Sequence, residues 1–188
     1  VTDPELIALR KPARILGNQL ILRNAAPADA GFIVALRTDP EKSRHLSPTS
    51  PDVAKQVEWL EGYATDESQI YLIICDRSDA PIGTVRIYDC HGDSFCWGSW
   101  ILAAGSSSSA SIESVLIVYH FALLLGFRSS HFEVRPENRS VLRFHERFGA
   151  ERVRETEQSI HYRIANERIL ASLQKYSEFL PQPIEIAW

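Results

Sequence analysis

The chain has 188 residues, 45% of them apolar and 23% charged, with 9 glycines and 10 prolines. That composition excludes collagen-like, disordered and disulfide-scaffold classes, and against about 150 residues per domain the length implies one domain with an appendage. Lysine and arginine number 20 against 24 aspartates and glutamates, and the net charge of −4 excludes holding nucleic acid by bulk electrostatics.

Residues 1–18 show no sustained period and contain Pro4 and Pro12, so they read as an arm. The opening Val1-Thr2-Asp3-Pro4-Glu5 carries neither the basic nor the apolar stretch of a secretory signal, so the cytoplasm is the expected location. Residues 19–23 are a short apolar strand. Pro27, Phe32, Ile33 and Leu36 mark a first helix that Asp39 and Pro40 stop. A second helix has Ser50 as its expected N-cap, Pro51 in the first turn, Val53, Val57 and Leu60 on one face and Gly62 just past its end.

Residues 70–75 and 81–88 are strands joined through Asp76, Arg77, Ser78 and Asp79, an antiparallel hairpin. A turn at His91, Gly92 and Asp93 leads to a third strand, residues 95–102, bulky on both faces as a central strand requires. A loop of small polar residues begins at Gly105. Ile112, Val115, Leu116, Tyr119, Ala122 and Leu123 follow at helical spacing, and the opposite face, with Ile117, Val118, Phe121 and Leu124, is apolar too, which marks a buried central helix. The apolar run there, residues 115–127, falls short of the ~20 residues of a membrane span, so none is expected.

Gly126 ends that helix. Residues 131–135 form a strand, residues 138–148 a helix closed by Gly149, and residues 150–155 and 159–165 a last hairpin. Asn166 caps a final helix with the stripe Ile169, Leu173 and Tyr176, and Pro181 and Pro183 end the fold. The expected division is an arm over 1–18, a domain over 19–165, and a helix and tail over 166–188. The class is α+β with a mixed sheet. The final stripe needs cover from its own domain or from a second copy, which leaves a homodimer open.

The loop from Gly105 to Ser111 with the helix behind it is the most informative unit. Small residues ahead of a helix N-terminus let backbone N–H groups face a phosphate, where a plain serine linker is the alternative. In order and residues the chain resembles, over about 20–165, the GCN5-related N-acetyltransferase (GNAT) superfamily, especially its ribosomal-protein N-terminal and amino-sugar acetyltransferase-like branch. Pro81-Ile82-Gly83-Thr84-Val85-Arg86-Ile87 looks like the family's third strand, Trp97 to Leu102 like its fourth, and NRSVLRFHERFGA, from Asn138, like its closing stretch.

The resemblance implies a mostly antiparallel mixed sheet flanked by helices, and acetyl transfer from acetyl-CoA to a small-molecule amine by direct attack. It places the coenzyme on Ile101, Leu102, Ala103, Gly105, Ser106, Ser107, Ser108, Ser109, Ala110 and Ser111, with Asn138 and Phe144 beside it. The acceptor is expected to be an amino sugar or sugar nucleotide, and the alternatives are a protein amino terminus or a noncatalytic assembly module. Two departures matter. The phosphate loop carries serines where the family usually has an Arg or Gln and glycines, at a cost wherever φ must be positive. His145 stands where many relatives have a tyrosine acid. At its ordinary pKa of about 6.5 it could protonate the leaving thiolate, or it is a packed core histidine.

Asn138 is either a pantetheine or adenylate contact or a helix cap. Residues 128–154 carry seven arginines against Glu133, Glu137, Glu146 and Glu151, a net +3 segment that faces the coenzyme's 3′-phosphate or only solvent. Arg37, His45 and Arg86 are acceptor contacts by the resemblance, and Trp59, Trp97 and Trp100 line an acceptor pocket or fill the core. No general base stands out, with Glu113 and His120 on the buried helix read as structural. Cys75, Cys90 and Cys96 read as free thiols. Cys90 and His91 with Cys96 lack a second ligand pair, so no metal is expected. No nucleophile elbow or Walker loop is present in the sequence.

Overall fold

The computed structural model describes residues 7–188. Val1 to Glu5, which carry the reading that no secretory signal is present, lie outside the described residues. A 9-stranded sheet runs in the order β7-β8-β6-β5-β4-β3-β2-β1-β9. The strands are β1 (Arg14–Leu16), β2 (Leu20–Asn24), β3 (Ile70–Asp76), β4 (Pro81–His91), β5 (Ser94–Leu102), β6 (Ser129–Val134), β7 (Glu151–Glu155), β8 (Ile160–Ala165) and β9 (Glu185–Ala187). The helices are α1 (Ala30–Thr38), α2 (Val53–Thr65), α3 (Ser108–Leu125), α4 (Arg139–Arg147) and α5 (Asn166–Lys175).

Strand β3 shows why both faces are covered. Ile70, Leu72 and Ile74 enter a large core with α3 and α5, while Tyr71, Ile73 and Cys75 enter a smaller one with α1 and α2. Alternation along one strand therefore feeds two layers. α3 is the centre of the larger core, with Val115 to Tyr119 fully buried, although Leu124 on the face expected to be covered is 57% exposed. By length and composition α3 could cross a membrane, which the shorter apolar run did not suggest; here 56% of it is buried inside this fold.

Several boundaries differ from the sequence reading. The expected arm contains β1, which pairs with β2 and, through Arg14 and Ala187, with β9. The prolines at 181 and 183 therefore do not end the fold. β1 and β9 are each three residues long, too short to show a period. Asp52, not Ser50, caps α2, accepting the Ala54 N–H at 2.9 Å, and Gly62 lies inside the helix, which runs on to Thr65. Ala165 precedes α5, and the buried Asn166 side-chain oxygen has no partner. Of the α5 stripe, Ile169 is fully buried in the chain's own core, and Leu173 and Tyr176 pack against that core partly buried.

Buried Glu113 on α3 accepts the N–H groups of Gln19 at 3.0 Å and Leu20 at 3.2 Å, fastening the β1–β2 turn. Gly17 is needed there, because a Cβ would lie 2.2 Å from the Glu113 carboxylate.

Candidate active site

Strands β5 and β6 are the only parallel pair among the described strands, and they meet over just Ser94–Cys96 and Ser129–His131. Their connection is the crossover through α3, as parallel pairing requires. Beyond Cys96 the two strands part, leaving one backbone edge of β5 open. The register between β4 and β5 also shifts between Thr84 and Arg86, and Ser99 takes a φ of +48° there. The Thr84 hydroxyl holds this bulge by donating to the Ser99 carbonyl at 2.8 Å. Gly98 lets the Tyr88 ring cross the strand, since a Cβ would meet its hydroxyl at 2.8 Å.

The parting opens a cleft of about 740 Å³ whose walls include Tyr88, Trp97, Ser99, Trp100, Phe132, Asn138 and His145. His145, on α4, is 4% exposed. Its ring lies 4.3 Å from that of Phe132, 5.2 Å from Trp97, 5.8 Å from Phe144 and 6.3 Å from Trp100. Its Nδ1 is buried without a partner. Burial in this aromatic cage pushes its pKa down to about 3, so the ring is neutral at pH 7. That corrects the expectation of a histidine titrating near its ordinary value. The charged form is too scarce to serve as the resting acid.

A second hollow of about 280 Å³ adjoins the cleft and shares Arg37, Ser47 and Ser99 with it. Arg37 fixes the common wall by donating from Nε to the Thr49 hydroxyl at 2.7 Å and from Nη2 to the Ser47 hydroxyl at 3.1 Å. Lys55, Trp59, Tyr71 and Arg86 also line this hollow. The Arg86 guanidinium carbon sits 4.3 Å over the Tyr88 ring, and its Nε is buried without a partner. Asp52, the one acid in this wall, is engaged as the α2 cap.

All five expected acceptor residues, Arg37, Trp59, Arg86, Trp97 and Trp100, thus border one of two adjoining spaces. Trp97 is also core, at 4% exposure. His45 lies in the cleft wall as well. Sequence reasoning missed Tyr88, Glu133, Glu137 and Glu157, which also line the cleft, the three acids coming from β6, the turn after it and the β7–β8 turn. No local signal marks them, since only the fold brings them together.

Of the coenzyme residues expected from the sequence, Asn138 lines the cleft, and Phe144 and those from Ile101 to Ser111 lie outside both spaces. Ala103 continues the ladder, donating to the Ile82 carbonyl at 2.7 Å. Ser107 caps α3, its hydroxyl accepting the Ala110 N–H at 3.1 Å. Gly105 has φ +84°, and no serine from 106 to 111 has a positive φ, so replacing glycines with serines here causes no backbone strain. The N–H groups of the first turn of α3 lie at this loop, as an anion site needs. Phe144 packs between Trp100 and Phe148, with ring centroids 5.0 and 4.8 Å away, and does not line the cleft. Asn138 precedes α4 without capping it through its side chain, which instead accepts from the Ser140 hydroxyl at 3.2 Å. Burial raises the Cys90 and Cys96 thiols to about 11, so neither is a nucleophile at neutral pH.

Residues 19–151 match the acetyltransferase (GNAT) domain family. A comparison with curated protein sequences finds no match. Among solved structures the chain is similar to FdhC, described as a nucleotide-linked sugar GNAT, at 37% identity and a TM-score of 0.80, covering 89% of this chain and 98% of that one. A GCN5-related N-acetyltransferase from Brucella melitensis is similar at 18% identity and a TM-score of 0.75, covering 92% and 87% of the two chains. A variant of the spermidine N-acetyltransferase SpeG from Vibrio cholerae is similar at 16% identity and a TM-score of 0.69, covering 81% and 96%. The last two likenesses are of fold alone.

Proposed function

The chain belongs to the GNAT acetyltransferase family and is an N-acetyltransferase, and from that premise we propose that it acetylates the primary amine of a nucleotide-linked amino sugar with acetyl-CoA. The observation that carries this reading is the cationic hollow joined to the cleft through Arg37, Ser47 and Ser99. Arg86 and Lys55 suit a diphosphate, and Trp59, 38% exposed, offers a ring face to a base. The likeness to a nucleotide-linked sugar GNAT over most of both chains supports the same acceptor.

Acetyl-CoA supplies the acyl group as a thioester. The chain's own residues do the rest. The open β5 edge beyond Cys96 would pair with the extended pantetheine arm of acetyl-CoA, as with an added strand. A backbone N–H by the Ser99 bulge stabilises the oxyanion as the amine attacks. One of the cleft carboxylates, Glu133, Glu137 or Glu157, takes the ammonium proton directly or through a water. Neutral His145 hydrogen-bonds the departing sulfur. The serine loop holds the pyrophosphate through the N–H groups of α3.

The test is turnover of acetyl-CoA by the full chain with a nucleoside-diphosphate amino sugar, the free amino sugar, spermidine and an N-terminal peptide. The nucleotide-linked amine should have the highest kcat/KM, and Arg86→Ala should raise KM for it about 10-fold, the worth of one charge-assisted hydrogen bond, without raising KM for the free amino sugar. Preference for the peptide, or equal kcat/KM for linked and free sugar, would overturn the acceptor assignment. Calorimetric titration with acetyl-CoA, set against dephospho-CoA, tests the donor and the basic segment; absence of binding to millimolar concentration would overturn the donor.

A further inference from the structure

On the face of the sheet away from His145, at the closed end of the fork, Asp89, His91 and His131 bring three potential ligand atoms within 4.8 Å of one another. His91 Nε2 lies 3.0 Å from Asp89 Oδ1, and His131 Nε2 lies 3.7 Å from Asp89 Oδ2. Two ligands on a tetrahedral zinc ion, each bonded at about 2.0–2.2 Å, stand about 3.3 Å apart. The shorter separation lies just under that value and the longer just over it, each to a different oxygen of Asp89. The two imidazole rings stack at 5.5 Å with 27° between their planes.

Three further features point the same way. His131 Nε2 is buried and has no hydrogen-bond partner. Its other nitrogen, Nδ1, is 2.8 Å from the Ser94 hydroxyl, the kind of outer contact that orients a metal-binding histidine. Asp89 holds a left-handed backbone, φ +49°, inside the register shift between Tyr88 and His91. Such local strain is kept where a side chain must be re-aimed.

We propose that Asp89, His91 and His131 bind one divalent transition-metal ion, with zinc the best fit to two imidazoles and a carboxylate. The ion ties the end of the β4–β5 hairpin to β6 across the three-residue parallel contact, at the closed end of the cleft. It is a staple at the base of the fork. Its fourth position is open, because His91 and Asp89 are 70% and 57% exposed. The thiols of Cys90 and Cys96 take no part, and the sequence could not show the cluster because His131 arrives only through the β5–β6 pairing.

The test is calorimetric titration of tag-free, chelator-stripped full chain with zinc chloride, paired with thermal melts. One saturable equivalent is expected, with a rise in Tm of about 5–10 °C at zinc 100-fold above Kd. His91→Ala and Asp89→Asn, both at exposed positions, should abolish that equivalent and the rise in Tm. Ser94→Ala should weaken binding about 10–100-fold. No saturable binding, or the same stoichiometry and affinity in His91→Ala and Asp89→Asn, would overturn the proposal. Neither result depends on which amine the enzyme acetylates.

Discussion

His145 and His131 approach the same fork from opposite faces of the sheet, and their surroundings make them chemically unlike. Phe132, one residue beyond His131 on β6, points to the other face and touches the His145 ring. His145 sits among aromatic rings with a buried, partnerless Nδ1, while His131 has a hydroxyl on one nitrogen and a carboxylate near the other. The comparison teaches that a histidine's role follows from what packs on it. An apolar cage removes the charged form, and a polar corner makes the lone pairs available.

The strongest way to break the contrast is Phe132→Ala. Phe132 is 5% exposed and packs on His145, Trp97 and Tyr162. Its loss should cost about 3–5 kcal/mol of unfolding free energy, read from denaturant midpoints. Water entering the cage should also move the His145 imidazole titration, followed by NMR, up toward 6.5. A titration left near 3 would mean that the cage does not set it.

A smaller effect sharpens the contrast without opening the cage. The unfolded chain binds a proton at His145 below about pH 6.5, whereas the folded chain does so only near pH 3. Between those values the unfolded state holds the extra proton, so stability rises with pH there. This contribution is complete above pH 6.5 and is lost as pH falls through the window, by about 1.4 kcal/mol per unit and about 2 kcal/mol by pH 5. Denaturant unfolding of the protein and of His145→Phe at pH 7.5, 6 and 5 isolates it. The slope should be shallower in the variant, and equal slopes would refute a depressed pKa for His145.

The sequence pointed to many residues that border the candidate site but not to its chemistry. NRSVLRFHERFGA was enough to single out His145, yet its charge state depends on Trp97 and Trp100 of β5, Phe132 of β6 and Phe144 of α4, and no local pattern announces that convergence. The long strands and α3 were legible because burial imposes period 2 or 3.6 on enough residues. β1 and β9 were not, since three residues show no period and their pairing joins the two ends of the chain. Arg37 and Arg86 came from resemblance alone, and Glu133, Glu137 and Glu157 carry no signal until the fold gathers them. At α2 two cap-forming residues, Ser50 and Asp52, compete within one short stretch, and only the structure decides between them.

The smallest expected effect concerns a third polar group, at the start of α3, one that solvent reaches. Ser107 caps α3 through the Ala110 N–H at 3.1 Å and shares a 2.7 Å hydrogen bond with the Ser109 hydroxyl. Ser107→Ala should therefore cost about 1 kcal/mol of stability, measured by denaturant unfolding at pH 7.5. If the loop holds pyrophosphate through backbone N–H groups, acetyl-CoA affinity should stay within about threefold, because the backbone donors remain and the Ala110 N–H is released to join them. A 10-fold loss of affinity by calorimetry, at unchanged loop conformation, would instead assign the phosphate contact to the hydroxyl itself. The serines would then replace the family's usual loop chemistry with side-chain donors, and stability and affinity would fall together across Ser106, Ser107 and Ser109 variants.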